Sequence, residues 1–577
     1  MLLLAARPAA AAWPSDPAVN LPVCTATNTQ AYASMASDGV GGALIAWEDF
    51  NRAGAATHTV YVQRVRGVGS VDPAWPACGR AACAFASNQT APVLVSDGAG
   101  GAIVVWKDDR NPPGMDLYAQ HLLADGTLDL AWPAQGRAVC AAPLDQGAPA
   151  VIADGAGGAI VAWEDSRSVL TGADIYAGHV LANGTMDPAW PADGRALCTA
   201  SDAQHEPHLV ADGTGGAIVV WHDHRSTTNW DIYAQHVQAG GTNDPAWPAN
   251  GRLLCSATND QVRATIVSDG SAGAIVAWED YDRPGTSGAD VYAQHVLASG
   301  GLDPAWPPDG TAVCTALNDQ VSLTSVSDGA HGALINWMDA RLGTTDWNIY
   351  TQRVRVSGLV DPAWPVNGRA LCTDTAVQGL PRCAPDKTGG EIVAWIDHRN
   401  AATTTDIYAE HIRVDGTLDP AWPVNGTPVT TAPKEQDTIA LVGDGNGGAI
   451  IAWQDFRTDF NYDIYAQRVD PSGVLGGVST TDVPRVDPLA PVLEAAWPNP
   501  VRGGTIAVRF TLRADEPASL ELVDVAGGNK ARLDVGSLGT GTHTVALSSA
   551  RHLPPGLYFI RLRQGAVSHV VRVAVAQ

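Results

Sequence analysis

The chain has 577 residues, with 60 acidic against 35 basic side chains, a formal charge of −25 and 45% hydrophobic residues. That length exceeds one ordinary core, so several domains or a repeat array are expected, and the apolar content excludes wholesale disorder. The acidic balance speaks against nucleic acid as a partner, and no internal run of about 18 apolar residues reads as a membrane span.

Residues 1–12, Met1-Leu-Leu-Leu-Ala-Ala-Arg-Pro-Ala-Ala-Ala-Ala12, place small residues after an apolar stretch, as a signal-peptide remnant cleaved near Ala12 does. A basic segment ahead of the stretch is missing, and Arg7 interrupts it. Export is the expected destination.

Residues 13–480 are a repeat array. A Trp recurs at 47, 106, 163, 221, 278, 337, 395 and 453, always as Trp-x-Asp, at spacings of 57 to 59 residues. An Arg follows each Asp closely, and an Asp-Ile-Tyr-Ala-Gln-like run comes next. Asp-Pro-Ala-Trp-Pro or a near variant then appears seven times, with Trp13-Pro14 as a truncated eighth. Each repeat reads as four short strands. In the fourth, Leu209-Val-Ala211 and Ala217-Ile-Val-Val-Trp221 flank a Gly-rich hairpin turn, followed by Asp231–Val237 and Arg252–Cys255. Eight such units predict an eight-bladed β-propeller, and Leu21-Pro-Val-Cys24 resembles a fourth strand that would complete the last unit.

The recurrent pairs Asp49 and Arg52, Asp165 and Arg167, Asp223 and Arg225, Asp339 and Arg341, Asp397 and Arg399, and Asp455 and Arg457 are expected to be structural ties, because they recur with the repeat. A Gln ahead of every first strand, from Gln30 to Gln436, is expected to bond backbone between units. Seven of nine cysteines share one strand position and read as small buried residues. The extra Cys78 and Cys383 leave Cys78–Cys83 and Cys372–Cys383 open as disulfides.

Where the repeats differ, two candidate sites appear. His205, His208, His222 and His224 crowd the fourth repeat beside carboxylates, a candidate zinc or copper site against a bland reading as tolerant surface. Trp230, Trp347, Phe460 and Tyr462 stand among Asn, Asp and Thr in the loops after the second strands, which suits sugar stacking or protein contact. No resident cofactor and no catalytic residue is assigned.

A Pro-rich linker (481–493) leads to residues 494–577, whose apolar and polar residues alternate as in a small antiparallel sandwich. Trp497-Pro-Asn-Pro500, Leu522-Val-Asp524 with Gly527, Gly541-Thr-His543 and Gly556-Leu-Tyr-Phe-Ile-Arg-Leu562 resemble the type IX secretion C-terminal sorting domain and the related Ig-like domain of the flagellar hook-capping protein. The resemblance implies outer-membrane secretion machinery as a partner of residues 494–577 and a secreted or cell-surface location. Val501 and the end Ala574-Val-Ala-Gln577 depart from the pattern, where an aromatic and a basic residue are common. The repeats resemble uncharacterised bacterial β-propeller proteins, which implies a fold and no activity.

The function expected from these features is a non-enzymatic binding or adhesion module with a glycan or protein ligand. The alternatives are a purely structural surface protein or a polysaccharide-active hydrolase or lyase, the last requiring carboxylates that differ between units.

Overall fold

A computed structural model describes residues 12–52, 57–283, 288–343, 345–400, 405–458 and 460–477, and, in the C-terminal part, 492–497, 501–502, 505–512, 517–524, 528–538, 541–549, 553–554, 556–564 and 567–576. The leader reading of residues 1–11 and the linker reading of 481–491 lie outside the described residues, as do Pro498–Pro500 and Gly527 of the sorting-domain motifs. The chain divides into two compact units, Met1–Thr480 and Thr481–Gln577.

The first unit is built of repeated four-stranded antiparallel sheets, the arrangement of a β-propeller, and the described residues hold no α-helix. Sheets 1 to 8 are numbered by the chain order of their inner first strands, Gln30–Ser37, Gln89–Ser96, Gln146–Ala153, Gln204–Ala211, Gln261–Ser268, Gln320–Ser327, Gln378–Pro385 and Gln436–Gly443. Sheet 4 comprises Gln204–Ala211, Ala217–Asp223, Asp231–Val237 and Arg252–Leu253; sheet 5 comprises Gln261–Ser268, Ala274–Tyr281, Ala289–Val296 and Thr311–Cys314. The fourth strands span two to four residues: Arg252–Leu253 is shorter than the Arg252–Cys255 read from the sequence, whereas Arg137–Cys140 has the full four with a register shift between Ala138 and Cys140. Sheet 1 gains a fifth, two-residue strand, Ser70–Val71.

The last sheet takes its outer strand from the N-terminus. Leu21–Cys24 pairs antiparallel with Asp463–Val469, and the first strand of each sheet neighbours that of the next, from sheet 1 round to sheet 8 and back. An open edge is thereby removed. Trp13 completes the pattern. The indole N–H of Trp75 donates to Ala124 O in the next sheet at 3.0 Å and that of Trp422 to Pro471 O at 3.1 Å, while Trp13 reaches Gly67 O of sheet 1 at 2.7 Å.

Burial follows the second strands. The Trp of every Trp-x-Asp is fully buried, and the apolar clusters each draw residues from two neighbouring sheets, so no sheet owns a complete core. A second set of polar ties joins the opposite ends of the strands. His121, His179, His236, His295 and His411 each bridge two aspartates at 2.9–3.0 Å, one from the hairpin turn and one from the Asp-x-Ala-Trp loop. Arg64, Arg353 and Arg468 occupy the same place elsewhere.

In the second unit a three-stranded and a five-stranded sheet share one core, with Ile506, Val508 and Phe510 from one and Leu520, Leu522, Ile560 and Leu562 from the other. The sheets are not wholly antiparallel, since Val501–Arg502 pairs parallel with Val567–Ala576.

Candidate functional site

The recurrent Asp and Arg form closed structural units. Asp49–Arg52 meet at 2.8 Å, Asp165–Arg167, Asp223–Arg225 and Asp339–Arg341 at 2.5 Å, and Asp397–Arg399 and Asp455–Arg457 at 2.6 Å, with each Asp side chain fully buried. Each guanidinium also lies 3.7–3.9 Å over the Tyr of the following strand. The leading Gln residues tie sheets through their backbone N–H, as Gln261 does to Trp230 O at 2.7 Å and Gln378 to Trp347 O at 2.8 Å. These contacts recur with the repeat and lie buried, although the Oε1 of Gln30, Gln146, Gln204, Gln261, Gln320, Gln378 and Gln436 has no hydrogen-bond partner among the described residues.

What varies is the third residue of each first strand. There the ladder bulges, as between His205 and His208, and the bulge residue takes positive φ although it is never glycine: Tyr32, Ala91, Ala148, Glu206, Arg263, Ser322, Leu380 and Thr438. The bulge N–H is capped from the preceding sheet in four cases. Glu48 accepts from Ala91 N at 2.7 Å, Glu164 from Glu206 N at 2.8 Å, Glu279 from Ser322 N at 2.7 Å and Gln454 from Tyr32 N at 3.2 Å. The bulge therefore holds a rigid backbone while its side chain is free to differ.

Between sheets 4 and 5 those differences converge. A cleft of about 350 Å³ is lined by Glu206, His222, Trp230, Asp260, Val262, Arg263 and Tyr281. The indole of Trp230 is framed by histidines, with ring centroids at 5.5 Å from His205, 4.8 Å edge-on from His222 and 4.7 Å from His224. Its backbone N–H donates to Asp260 Oδ1 at 3.0 Å, which anchors that carboxylate. His222 Nδ1 is buried without a hydrogen-bond partner and lies 3.8 Å from Glu206 Oε2. Burial, helped by the charge of His205, pushes the His222 ring down to about 4, so it is neutral at ordinary pH. On the opposite wall, burial and then the Glu279 carboxylate push the Tyr281 phenol up to about 12, and its O–H donates to Glu279 Oε2 at 3.0 Å. Arg263 reaches the same Glu279 oxygen at 3.3 Å with more than half its side chain exposed. Glu279 itself is fully buried and saturated, so it positions Arg263 and Tyr281 rather than meeting a ligand.

The four histidines do not assemble as a metal site, which corrects that expectation. His205 pairs with Glu164 at 3.0 Å, His224 with Asp202 at 3.0 Å, and the Trp230 ring lies against both and against His222. His208 is an exposed residue further along the first strand, opposite Val220. Among the described residues no group of three or more His, Cys, Asp and Glu is placed to hold a metal ion.

The aromatic candidates are likewise dispersed. Trp230, Trp347 and the pair Phe460 and Tyr462 belong to sheets 4, 6 and 8 in turn, and of these only Trp230 lines the cleft between sheets 4 and 5. Phe460 is exposed, and Tyr462 donates to Glu435 Oε2 at 2.9 Å. Sequence reasoning missed Glu206, Asp260, Arg263 and Tyr281. The available signal, for Glu206 and Arg263 alone, was the variability of the second residue after each leading Gln. The proposed disulfide pairs are not brought together either, since Cys83 packs on Gln135 and Arg110, Cys372 on Arg399, and Cys383 on Thr324.

No family model matches the chain, and no curated protein does. Solved structures similar to it include a protein of unknown function from Dyadobacter fermentans, at 9% identity over 67% of this chain and 95% of that one, with a TM-score of 0.33. An alpha-L-arabinanase from Penicillium chrysogenum complexed with arabinobiose is 12% identical over 67% of this chain and 94% of its own, TM-score 0.33. An alpha-L-arabinofuranosidase from Fusarium graminearum with an iminosugar inhibitor shows the same identity and coverage, TM-score 0.32. The expectation of a non-enzymatic binding or adhesion module is corrected here, since two of these neighbours are an arabinanase and an arabinofuranosidase.

Proposed function

We propose that residues 13–480 form an eight-bladed β-propeller that cleaves glycosidic bonds in a neutral polysaccharide, with the cleft between sheets 4 and 5 as its site. The observation that carries this reading is the convergence of two carboxylates from different sheets, Glu206 and Asp260, around the Trp230 indole. Glycoside hydrolysis needs one carboxyl group to protonate the leaving oxygen and a second to attack or to activate water. Glu206 and Asp260 take those two roles, while the Trp230 ring supplies the apolar face on which a sugar stacks. Neutral His222 accepts a hydrogen bond from a sugar hydroxyl, Arg263 donates to a sugar oxygen, and the Tyr281 phenol oxygen, its proton held by Glu279, accepts from a sugar hydroxyl. A formal charge of −25 repels uronate-rich polymers, which favours hydrolysis of a neutral chain over eliminative cleavage at a uronate.

The second unit is, in this proposal, an Ig-like module that engages outer-membrane secretion machinery and carries the propeller to the cell surface. Deleting residues 494–577 is expected to retain the protein inside the source cell, and unchanged export refutes that part.

The test of the activity is a panel of neutral polysaccharides that includes arabinan, assayed for new reducing ends with purified protein and with Trp230→Ala. Cleavage of at least one polymer is expected, with KM raised about tenfold in the variant, the loss of one stacking contact of about 1.4 kcal/mol. Absence of cleavage across the panel sinks the proposal.

A further inference from the structure

We propose that Cys24 and Cys78 are a disulfide site that clasps the ring-closing N-terminal strand to sheet 1. The argument comes from the seven junctions between sheets whose outer strand reaches a Cys, the eighth having Thr430 there. At each, the Cys of an outer strand abuts a loop residue of the next sheet, and one Arg holds both. Arg167 donates to Cys140 Sγ at 3.2 Å and to Asp193 O at 2.7 Å, and Arg225 repeats this with Cys198 at 3.0 Å and Asn250 O at 2.8 Å.

The loop side chain then caps the backbone N–H that follows the Cys. Asp193 Oδ1 accepts from Ala141 N at 3.1 Å, and Asn250 Oδ1 from Thr199 N at 3.0 Å. At the junction of sheets 8 and 1, where the two ends of the unit meet, the loop residue is Cys78. Arg52 again holds both partners, donating to Cys24 Sγ at 2.7 Å and to Cys78 O at 2.9 Å. The Cys78 sulfur takes the place of the capping oxygen. Cys78 packs on the cluster that contains Cys24, with Arg52 bridging the two residues. The same architecture thus sets two sulfurs side by side at this one junction, and only at the junction that a covalent bond would close.

The two thiols are unequal in a way that orders the chemistry. Cys24 is buried, whereas Cys78 is partly exposed. The hydrogen bond from Cys24 lowers the Cys78 thiol below its usual range against the opposing effect of burial, which favours its thiolate. The oxidant is an external disulfide, such as oxidised glutathione. Cys78 thiolate attacks one of its sulfurs and releases a thiolate. Cys24, giving up its proton, then attacks the Cys78 sulfur of the mixed disulfide and expels the second thiolate. The protein pair loses two electrons and two protons, and the external disulfide becomes two thiols.

The test oxidises the full chain with oxidised glutathione, unfolds it in urea with iodoacetamide and weighs it. Two fewer alkylated cysteines than the nine in the sequence are expected, with full alkylation after reduction. Trypsin separates the partners, since cleavage at Arg66 and Arg80 isolates Cys78 from Cys83, so the linked peptide identifies the pair. Cys78→Asn installs the residue that Asn250, Asn367 and Asn425 carry at the same loop position and is expected to fold and to alkylate fully. Nine alkylated cysteines after oxidation, a link between other residues, or loss of two thiols in Cys78→Asn overturns the proposal.

Discussion

Arg341→Ala should destabilise the first unit more than any change at an exposed arginine. Asp339 is completely buried and accepts from Arg341 Nε at 2.7 Å, Arg341 Nη2 at 2.5 Å, the Trp337 indole at 2.7 Å and the Arg341 backbone N–H at 2.9 Å. The guanidinium also donates to Asn367 O at 2.7 Å and lies 3.8 Å over Tyr350. Truncation removes both charge-assisted bonds and leaves the carboxylate with two neutral donors. Breaking a buried pair by deleting one partner costs about 3–5 kcal/mol. The retained donors and the 18% exposure of the Arg341 side chain place the pair at the lower end, about 3 kcal/mol, to which lost stacking on Tyr350 adds about 1 kcal/mol. Adding Asp339→Asn removes the stranded charge, so the double variant should recover about half of that deficit. Urea unfolding followed by tryptophan fluorescence reads the first unit, which holds most of the 19 tryptophans. A deficit under about 0.5 kcal/mol for Arg341→Ala, the range of surface changes, would refute the reasoning.

Two further outcomes follow from the packing and the ties. Gly241 has φ +72° and a Cβ there would sit 2.6 Å from the Trp190 ring, so Gly241→Ala should cost about 2 kcal/mol, while Gly240→Ala, with open space around it, should be near neutral in the same urea experiment. Burial disfavours the charged rings of His121 and His411, but their paired aspartates outweigh it and raise both above 6.5. A raised folded value means stability present in full below the unfolded value and lost as pH rises through the folded one, so the urea midpoint should fall as pH rises above 6.5. Asp386, which burial alone would raise, is brought down to about 2 chiefly by His411 and Thr388, so its share is kept until strong acid. Replacing His121 and His411 with arginine, the residue at 64, 353 and 468, should flatten the alkaline fall, and an unchanged slope would count against the ties.

The strands were legible because they repeat. Ala-Ile-Val-Val-Trp221 and Asp-Ile-Tyr-Ala-Gln235 carry the apolar pattern of buried strands, and Leu21–Cys24 was recognisable as an outer strand from its likeness to Arg137–Cys140. The site was not legible, for three physical reasons. Glu206 and Arg263 sit at bulges with positive φ without being glycine, so composition does not mark them. Trp230 and Asp260 meet only when two sheets stand side by side, a distance no local pattern encodes. The histidines looked like ligands because they cluster in sequence, yet His205 and His224 are paired with carboxylates, His222 lies against the Trp230 indole, and His208 stands exposed further along the strand. Cys24 and Cys78 were hidden likewise, since their proximity arises only where the N-terminal strand joins the last sheet.

The most direct test of the account is reducing-end release from neutral polysaccharides by the wild type beside Glu206→Gln and Asp260→Asn, each isosteric and each checked for an unchanged urea midpoint. The account predicts release by the wild type and a loss of about 100-fold or more in each variant, the scale of a missing general acid or base. Release that survives in both variants, or none from the wild type on any polymer, would contradict it.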